Sequence, residues 1–231
     1  MKKKIQIIKA IILAGGYSRR MNLKVPKQLV KINKKPLLAY TLDRFERCKA
    51  IDSIILVVHK KIIHQCRNLI RRYNYKKIEQ LVVGGRTRQK SVFNALRRIR
   101  DCDYVIIHDG VRPFVTQKII SRIIKAVKRF GALTCAVKAT DTIIEAEKGF
   151  IGHFLCRNRL WHIQTPQAFK FDLIFQAQRK ARLKRILNST DDAQLVLKLK
   201  KNKIRIIKGS RKNIKITRPF DLYLAKLLLQ K

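Results

Sequence analysis

Acidic side chains are scarce in this chain. Across 231 residues, 14 Asp and Glu stand against 55 Lys and Arg, a formal net charge of +41. Such an excess admits binding to nucleic acid or to a membrane surface. The basic residues, however, are spread from Lys2 to Lys231 with no long disordered basic tail. The charge therefore reads as a bias carried on solvated faces, leaving only a non-specific affinity for nucleic acid and other polyanions in low salt. Aromatics make up 7% and do not interleave with the basic patches, as a binder of single strands would require. Cysteine is sparse: Cys48, Cys66, Cys102, Cys135 and Cys156 are far apart, odd in number, and form no Cys-x-x-Cys pair. That excludes a disulfide framework and a zinc knuckle and predicts reduced, buried thiols. The five histidines lack ligand spacing. No apolar stretch reaches the length of a membrane span. The opening Met-Lys-Lys-Lys-Ile-Gln-Ile-Ile has a basic head but no signal-type apolar core. A cytoplasmic protein with no membrane contact is expected.

Two common phosphate loops are also missing. No Gly-x-x-x-x-Gly-Lys-Ser/Thr and no Gly-x-Gly-x-x-Gly is present. Instead an apolar run, Ile5–Leu13, opens into Ala14-Gly15-Gly16, followed by Arg19, Arg20, Pro26 and Lys27. A glycine pair lets backbone N–H groups approach an anion with no Cβ in the way. Taken alone it is also what a plain strand-to-helix turn looks like. The cations behind it favour function: Arg20 and Lys27 can neutralise charge on a transferring phosphoryl group. The segment points to chemistry on a nucleoside triphosphate.

The rest of the chain alternates. Strands are expected at Ile5–Leu13, Ser53–Val58, Gln80–Val83, Tyr104–His108, Leu133–Val137 and Lys203–Ile207. Helices are expected at Pro36–Cys48, Lys61–Arg72, Arg88–Arg100, Thr116–Phe130, Phe171–Leu183, Asp191–Leu199 and Pro219–Leu229. Alternation of this kind demands an α/β fold, a mostly parallel sheet with helices on both faces. Between Lys138 and His162 the rhythm breaks into a polar, irregular stretch with Gly149 and Gly152 inside it, readable as a protruding arm. With no internal repeat or low-complexity linker, the chain reads as one domain, 1–231, with an arm at about 138–162. Ligands of open α/β sheets bind beyond the carboxyl ends of the strands. Four polar clusters fall there: the loop after Leu13, Gly84–Gln89, His108–Pro113 and Ala139–Thr142.

Those clusters carry a resemblance. Ala14-Gly15-Gly16, Arg20-Met21, Pro26-Lys27-Gln28, Gly84-Gly85, Arg88-Gln89, Ser91-Val92, His108-Asp109 and Arg112-Pro113 form its first half. Asp141-Thr142, Arg157, Leu160-Trp161, Gln164-Thr165-Pro166-Gln167, Thr190-Asp191-Asp192-Ala193, Asn213–Pro219 and Asp221-Leu222 form its second. From about residue 7 to 229 the sequence resembles the 2-C-methyl-D-erythritol 4-phosphate cytidylyltransferases of non-mevalonate isoprenoid synthesis. The resemblance implies a Rossmann-like fold of nucleotidyltransferase type whose β-arm dimerises. It implies transfer of CMP from CTP to methylerythritol phosphate, with Mg²⁺ as cofactor and pyrophosphate released. It also implies the site. Ala14, Gly15 and Gly16 would bind the triphosphate, and Arg20 and Lys27 would stabilise the pentacoordinate α-phosphate. Gly85 and Ser91 would contact cytosine, and Asp109 the ribose, the substrate hydroxyls and the neighbourhood of the metal. Gly110 and Arg112 would line the sugar-phosphate pocket, with Thr165 and Thr190 in the substrate site. Thr142, Arg157 and Lys215 would receive the substrate phosphate, Arg157 from the arm of a partner subunit.

Simpler roles exist for several of these residues. Asp109 could cap the helix near Thr116, and Thr190-Asp191-Asp192 could be only a helix cap but reads as both cap and pocket wall. His108 reads as a structural residue at a strand end, because an ionised phosphate needs no general base. The nearest rival activity is that of a ribitol-5-phosphate cytidylyltransferase, which shares the glycine loop, His-Asp-x-x-Arg-Pro and Thr-Pro-Gln. A basic nucleic-acid-binding protein is the alternative from another class.

Overall fold

The computed structural model describes residues 6–16, 25–200 and 203–230. Arg20 and the rest of 17–24 lie outside the described residues. Strand β1 (Ile8–Ala14) is followed by a short hairpin of β2 (Lys31–Ile32) and β3 (Lys35–Pro36), and then by helix α1 (Leu37–Glu46). Next come β4 (Ser53–Val58), α2 (Ile63–Arg72), β5 (Ile78–Val83), α3 (Arg88–Leu96), β6 (Tyr104–Asp109), α4 (Gln117–Phe130) and β7 (Ala132–Lys138). A second hairpin, β8 (Ile144–Glu147) and β9 (Phe150–Phe154), precedes β10 (Trp161–Lys170), α5 (Phe171–Leu183), α6 (Asp192–Lys200), β11 (Arg205–Lys208) and α7 (Pro219–Leu229).

Seven strands form one sheet in the order β11-β7-β10-β6-β1-β4-β5. All its pairings are parallel except those of β10, which runs antiparallel to both β6 and β7. Both faces are covered, as the near-continuous apolar strands require. Ile8, Ala10 and Ile12 of β1 pack on one side with Leu38, Leu42, Phe45, Ile120 and Ile123 from α1 and α4. Ile11 faces the other side, against Val92, Leu96, Ile174 and Val196 from α3, α5 and α6. Helix α4 shows how the sequence dictates this. Ile119, Ile120, Ile123, Ile124 and Val127 recur at helical spacing and are all buried, while Thr116 accepts a hydrogen bond from the Ile119 N–H (3.3 Å) as the cap. Each such aliphatic contributes roughly 1.5–3 kcal/mol on burial. Asp109 is therefore not needed as the cap of α4.

Most elements match expectation, and Ser53–Val58, Phe171–Leu183 and Pro219–Leu229 match to the residue. Pro36 is the extended residue just before α1 rather than its first turn. Of the cysteines, Cys48, Cys66 and Cys135 are buried, but Cys156 is exposed, contrary to the expectation of buried thiols. The larger difference is β10. Its sequence, Trp-His-Ile-Gln-Thr-Pro-Gln-Ala-Phe-Lys, contains a proline and little apolar alternation, so no strand was expected. It nevertheless lies inside the sheet with Gln164, Thr165 and Gln167 buried, its register shifting between Gln164 and Gln167 around the proline. The arm region contains the β8–β9 hairpin, whose residues are all exposed. Its turn uses positive φ at Lys148 (51°) and Gly149 (89°), the twist a tight hairpin needs.

Candidate active site

Parallel pairing fixes where the site must be. Leu13 lies beside Asp109 and Ala14 beside Val58, which in turn lies beside Val83. The carboxyl ends of β1, β4, β5 and β6 therefore share one edge of the sheet. The loops that leave them, Gly15-Gly16, His59–Lys61 and Gly85–Arg88, wall a cleft of about 810 Å³ together with Asp109, Lys27-Gln28, Ser91 and the Lys215–Thr217 segment. That volume is in the range of small-molecule sites. Gln28 is buried, and its amide donates to the carbonyls of Ala14 and Gly16 (2.7 Å each). It ties the Lys27 segment to the glycine loop.

At the floor, the buried Asp109 carboxylate gathers three cations. Oδ2 is 3.0 Å from Lys215 Nζ and 3.3 Å from Arg112 Nε, and Oδ1 is 3.5 Å from Arg88 Nε. Burial works to raise the pKa of Asp109, and Lys215, Arg88 and Arg112 override it, holding the carboxyl well below its ordinary range. Arg88 reaches in the other direction as well, its Nη1 lying 2.5 Å from Oδ2 of Asp192, a fully buried carboxylate in the first turn of α6. Burial opposes charge on Arg88 too, but Asp192 and Asp109 more than offset it and keep the guanidinium cationic.

The turn that bears Asp109 is held from below. Gly110 sits so close to the end of β1 that a Cβ would come within 3.1 Å of the Leu13 carbonyl and of the Leu38 side chain. Asp109 N–H donates to the Thr165 hydroxyl (3.1 Å), which is 3.0 Å from Nδ1 of His108, while His108 Nε2 is 3.1 Å from the Arg112 carbonyl. A carbonyl can only accept, so Nε2 carries the proton and Nδ1 accepts from Thr165. Complete burial pushes the His108 imidazole down to about 4, so it is neutral near pH 7 and structural, as expected. Arg112 Nη1 donates to the Asn213 carbonyl (2.8 Å), Asn213 donates to the Thr165 carbonyl (2.8 Å), and Ile216 N–H donates to the Val111 carbonyl (3.0 Å). These bonds carry Lys215 to Asp109.

On the other wall, Thr87 caps α3 by accepting from the Lys90 N–H (3.1 Å). The Ser91 hydroxyl accepts from the Gly85 N–H (3.0 Å) and donates to the Thr87 carbonyl (3.0 Å), so it shapes the Gly84–Gly85 turn.

The cleft thus brings together Gly15, Gly16, Lys27, Gly85, Ser91, Asp109 and Lys215, with Ala14, Gly110, Arg112 and Thr165 directly behind them. It does not bring in Thr142 or Arg157. Both are exposed at the base of the hairpin, where Arg157 Nη1 reaches the Thr140 carbonyl at 3.4 Å. Thr190 is exposed just before α6, while Asp191 accepts from the Gln194 N–H (3.2 Å) as the cap of that helix. Sequence reasoning gave Arg88 no role in the site and Asp192 only a place in the cap and pocket wall of Thr190-Asp191-Asp192, not its ion pair with Arg88. The signal for Arg88 was its place in Gly-Gly-x-x-Arg-Gln, diluted by 54 other cations. Among the described residues, no three His, Cys, Asp or Glu side chains gather as a protein cage for a metal would need. Asp109 is the single carboxylate lining the described cleft. One carboxylate suits Mg²⁺ that is held mostly by substrate phosphates.

The family model of 2-C-methyl-D-erythritol 4-phosphate cytidylyltransferase (IspD) matches residues 8–231. A 2-C-methyl-D-erythritol 4-phosphate cytidylyltransferase of Clostridium acetobutylicum is 42% identical over 224 residues, covering 96% of this chain and 97% of the relative. One of Clostridium perfringens is 44% identical over 219 residues, covering 94% and 96%. Among solved structures, a 4-diphosphocytidyl-2C-methyl-D-erythritol synthase from Anaerococcus prevotii superposes with a TM-score of 0.86 at 32% identity, covering 98% of this chain and 97% of the other. The enzyme from Thermus thermophilus gives 0.79 at 28% identity, covering 98% and 100%. On these matches over almost all its length, the chain belongs to the 2-C-methyl-D-erythritol 4-phosphate cytidylyltransferase family of nucleotidyltransferases.

Proposed function

We infer that the described cleft is where this chain carries out its family's reaction. The cytidylyl group of CTP passes to the phosphate of 2-C-methyl-D-erythritol 4-phosphate, giving 4-diphosphocytidyl-2-C-methyl-D-erythritol and pyrophosphate for isoprenoid synthesis. The observation that carries the reading is the Asp109–Lys215–Arg112–Arg88 cluster, which faces the glycine loop across one cleft. A phosphate monoester must approach a triphosphate, and repulsion between the two anions is the obvious barrier. Cations fixed on several loops lower it by charge neutralisation and alignment.

A phosphate oxygen of methylerythritol phosphate attacks the α-phosphorus of CTP. The new O–P bond forms as the bond to the β-phosphate breaks, and pyrophosphate leaves with the electron pair. The attacking oxygen is already ionised, so no base is required. Ala14, Gly15 and Gly16 hold the triphosphate, while Lys27 and Arg20 stabilise the five-coordinate phosphorus. Gly85 and Ser91 face cytosine, and Asp109 and Gly110 the ribose. Arg112, Thr165, Thr190 and Lys215 form the sugar-phosphate side. Asp109 would supply the one protein carboxylate to Mg²⁺, which adds charge neutralisation on phosphate oxygens when bound.

Thr142 and Arg157 serve the cleft of a second copy in a homodimer joined through the arm. The exposed Phe150 and Phe154 rings on the hairpin support this. The protein works as a single domain in the cytoplasm. No described helix is long and apolar enough to cross a membrane.

The test is pyrophosphate release from CTP and Mg²⁺, with methylerythritol phosphate and ribitol 5-phosphate in parallel and Lys27→Ala as control. Release with methylerythritol phosphate alone, reduced on the order of 10²–10³-fold in the variant, is expected. Release with ribitol 5-phosphate alone would move the acceptor, and silence with both would overturn the reading.

A further inference from the structure

Arg88 belongs to the charged cluster but is assigned no substrate group in the reaction above, and it is the only described side chain that bridges two buried carboxylates. Its guanidinium is fixed at one end by Asp192, through the 2.5 Å contact from Nη1, and at the other by Asp109, through Nε at 3.5 Å. Asp192 is itself buried and accepts a further hydrogen bond from Gln178 at 3.4 Å. Residue 192 lies 104 positions from Arg88 in the chain. The pair therefore joins the loop after β5 to the start of α6 directly beneath Asp109.

The terminal torsion of an aspartate is soft, with broad, roughly two-fold preferences. Pairing on one oxygen does not fix it. In this site Oδ2 takes Arg112 and Lys215, and Oδ1 takes Arg88. The three cations differ in freedom. The side chain of Arg112 is 11% exposed and that of Arg88 21%, whereas Lys215 is 38% exposed. Lys215 is thus the one best able to turn toward a ligand anion, and Asp109 stays oriented only if the two arginines hold both of its oxygens.

We propose that Arg88, anchored by Asp192, is a positioning residue for the reaction: it locks the Asp109 carboxylate through Oδ1, so that Lys215 can leave Asp109 for the incoming phosphate without loosening it. This rests on the proposed cytidylyl transfer. Arg88 touches no reacting atom in the proposal and acts through Asp109, and Asp192 acts through Arg88. Orientation of this kind is worth roughly 10- to 100-fold in rate.

The experiment is steady-state kinetics with both substrates on wild type, Arg88→Gln, Arg88→Lys, Asp192→Asn and the Arg88→Gln/Asp192→Asn pair, with a thermal melt of each. Wild-type activity tests the underlying reading separately. Arg88→Gln should lower kcat by roughly 10- to 100-fold while KM for CTP changes less than about threefold. Arg88→Lys, which keeps the charge but loses the fork, should recover part of the loss. Asp192→Asn should lower kcat in the same direction, and the double variant should be no slower than Arg88→Gln alone, because the two residues act as one unit. Additive losses, a rise confined to KM for CTP, or lowered melting with unchanged kcat would each overturn the proposal. If Arg88→Gln fails to fold, Asp192→Asn decides. A fall in kcat at unchanged melting supports the proposal, and an unchanged kcat sinks it.

Discussion

The strand-end cleft and the β8–β9 hairpin invert each other. At the cleft floor, charged and polar groups are buried and paired: Asp109 with three cations, Asp192 with Arg88, His108 with Thr165 and the Arg112 carbonyl. On the hairpin, apolar rings stand in the open, with Phe150 79% and Phe154 66% exposed. The charge cluster of the first region is held by bonds within one chain, among β6, β10 and the 213–216 segment. The second exposes apolar side chains of the kind that mark interaction surfaces. A site organised this way is stiff where it orients charge, and in the proposed homodimer the exposed hairpin is where the second copy docks. The two regions should therefore respond to substitution in opposite ways.

The largest effect on folding is expected at Asp109. Asp109→Asn removes the anion that compensates Lys215, Arg112 and part of Arg88. Breaking a buried ion pair from one side costs about 3–5 kcal/mol. Chemical denaturation should show that loss, with pyrophosphate release falling below detection. A variant as stable as wild type would mean that the cluster is not the rigid element of the comparison.

How far the cleft could be read from sequence follows from the same pairings. The Asp109 turn was legible because β6 is an apolar run that ends in His-Asp-Gly-Val-Arg-Pro, a local signal. Strands and helices with one buried face were legible for the same reason. Strand β10 was not. Three of its buried residues, Gln164, Thr165 and Gln167, are polar, and their burial is made tolerable by partners distant in sequence. Gln164 donates to the Ser210 carbonyl (2.8 Å), and Gln167 donates to Thr134 (2.9 Å) and Asp191 (2.6 Å). Hydropathy carries no trace of such a network. Arg88 was hidden likewise, since a cation becomes distinctive only when its partner Asp192 is in view.

The next effect is a pH dependence at His108. Its folded value is held down at about 4 by burial, against about 6.5 for a free imidazole. The folded state thus keeps it neutral while the unfolded chain takes up a proton below about 6.5. Its contribution is present above that pH and lost as pH falls toward 4, amounting to about 3 kcal/mol. The Asp109 contribution has the same sign but lies lower, being lost only below about 3.9, where its unfolded counterpart titrates. Denaturation between pH 7 and 4.5, without added metal, separates the two. His108→Gln should flatten the slope in that window, and an unflattened slope would assign it to another group.

The smallest effect on folding, and the sharpest test of the contrast, is on the hairpin. Phe150→Asp with Phe154→Asp touches no core contact, so the folded chain should keep its far-ultraviolet spectrum, with an intrinsic cost within about 0.5 kcal/mol. Sedimentation should report a monomer, and activity should vanish, because in the proposed dimer Arg157 belongs to the neighbouring cleft. Two inactive proteins can then be combined. Lys27→Ala spoils a chain's own cleft and Arg157→Ala spoils its neighbour's. Exchange of subunits by random mixing makes half the dimers mixed, each with one cleft that has both Lys27 and Arg157. Activity should return to about one quarter of wild type. If Arg157 acted within its own chain, every cleft in the mixture would lack one of the two cations. No mixing ratio would then restore activity, and the hairpin would lose its claim to complete the site.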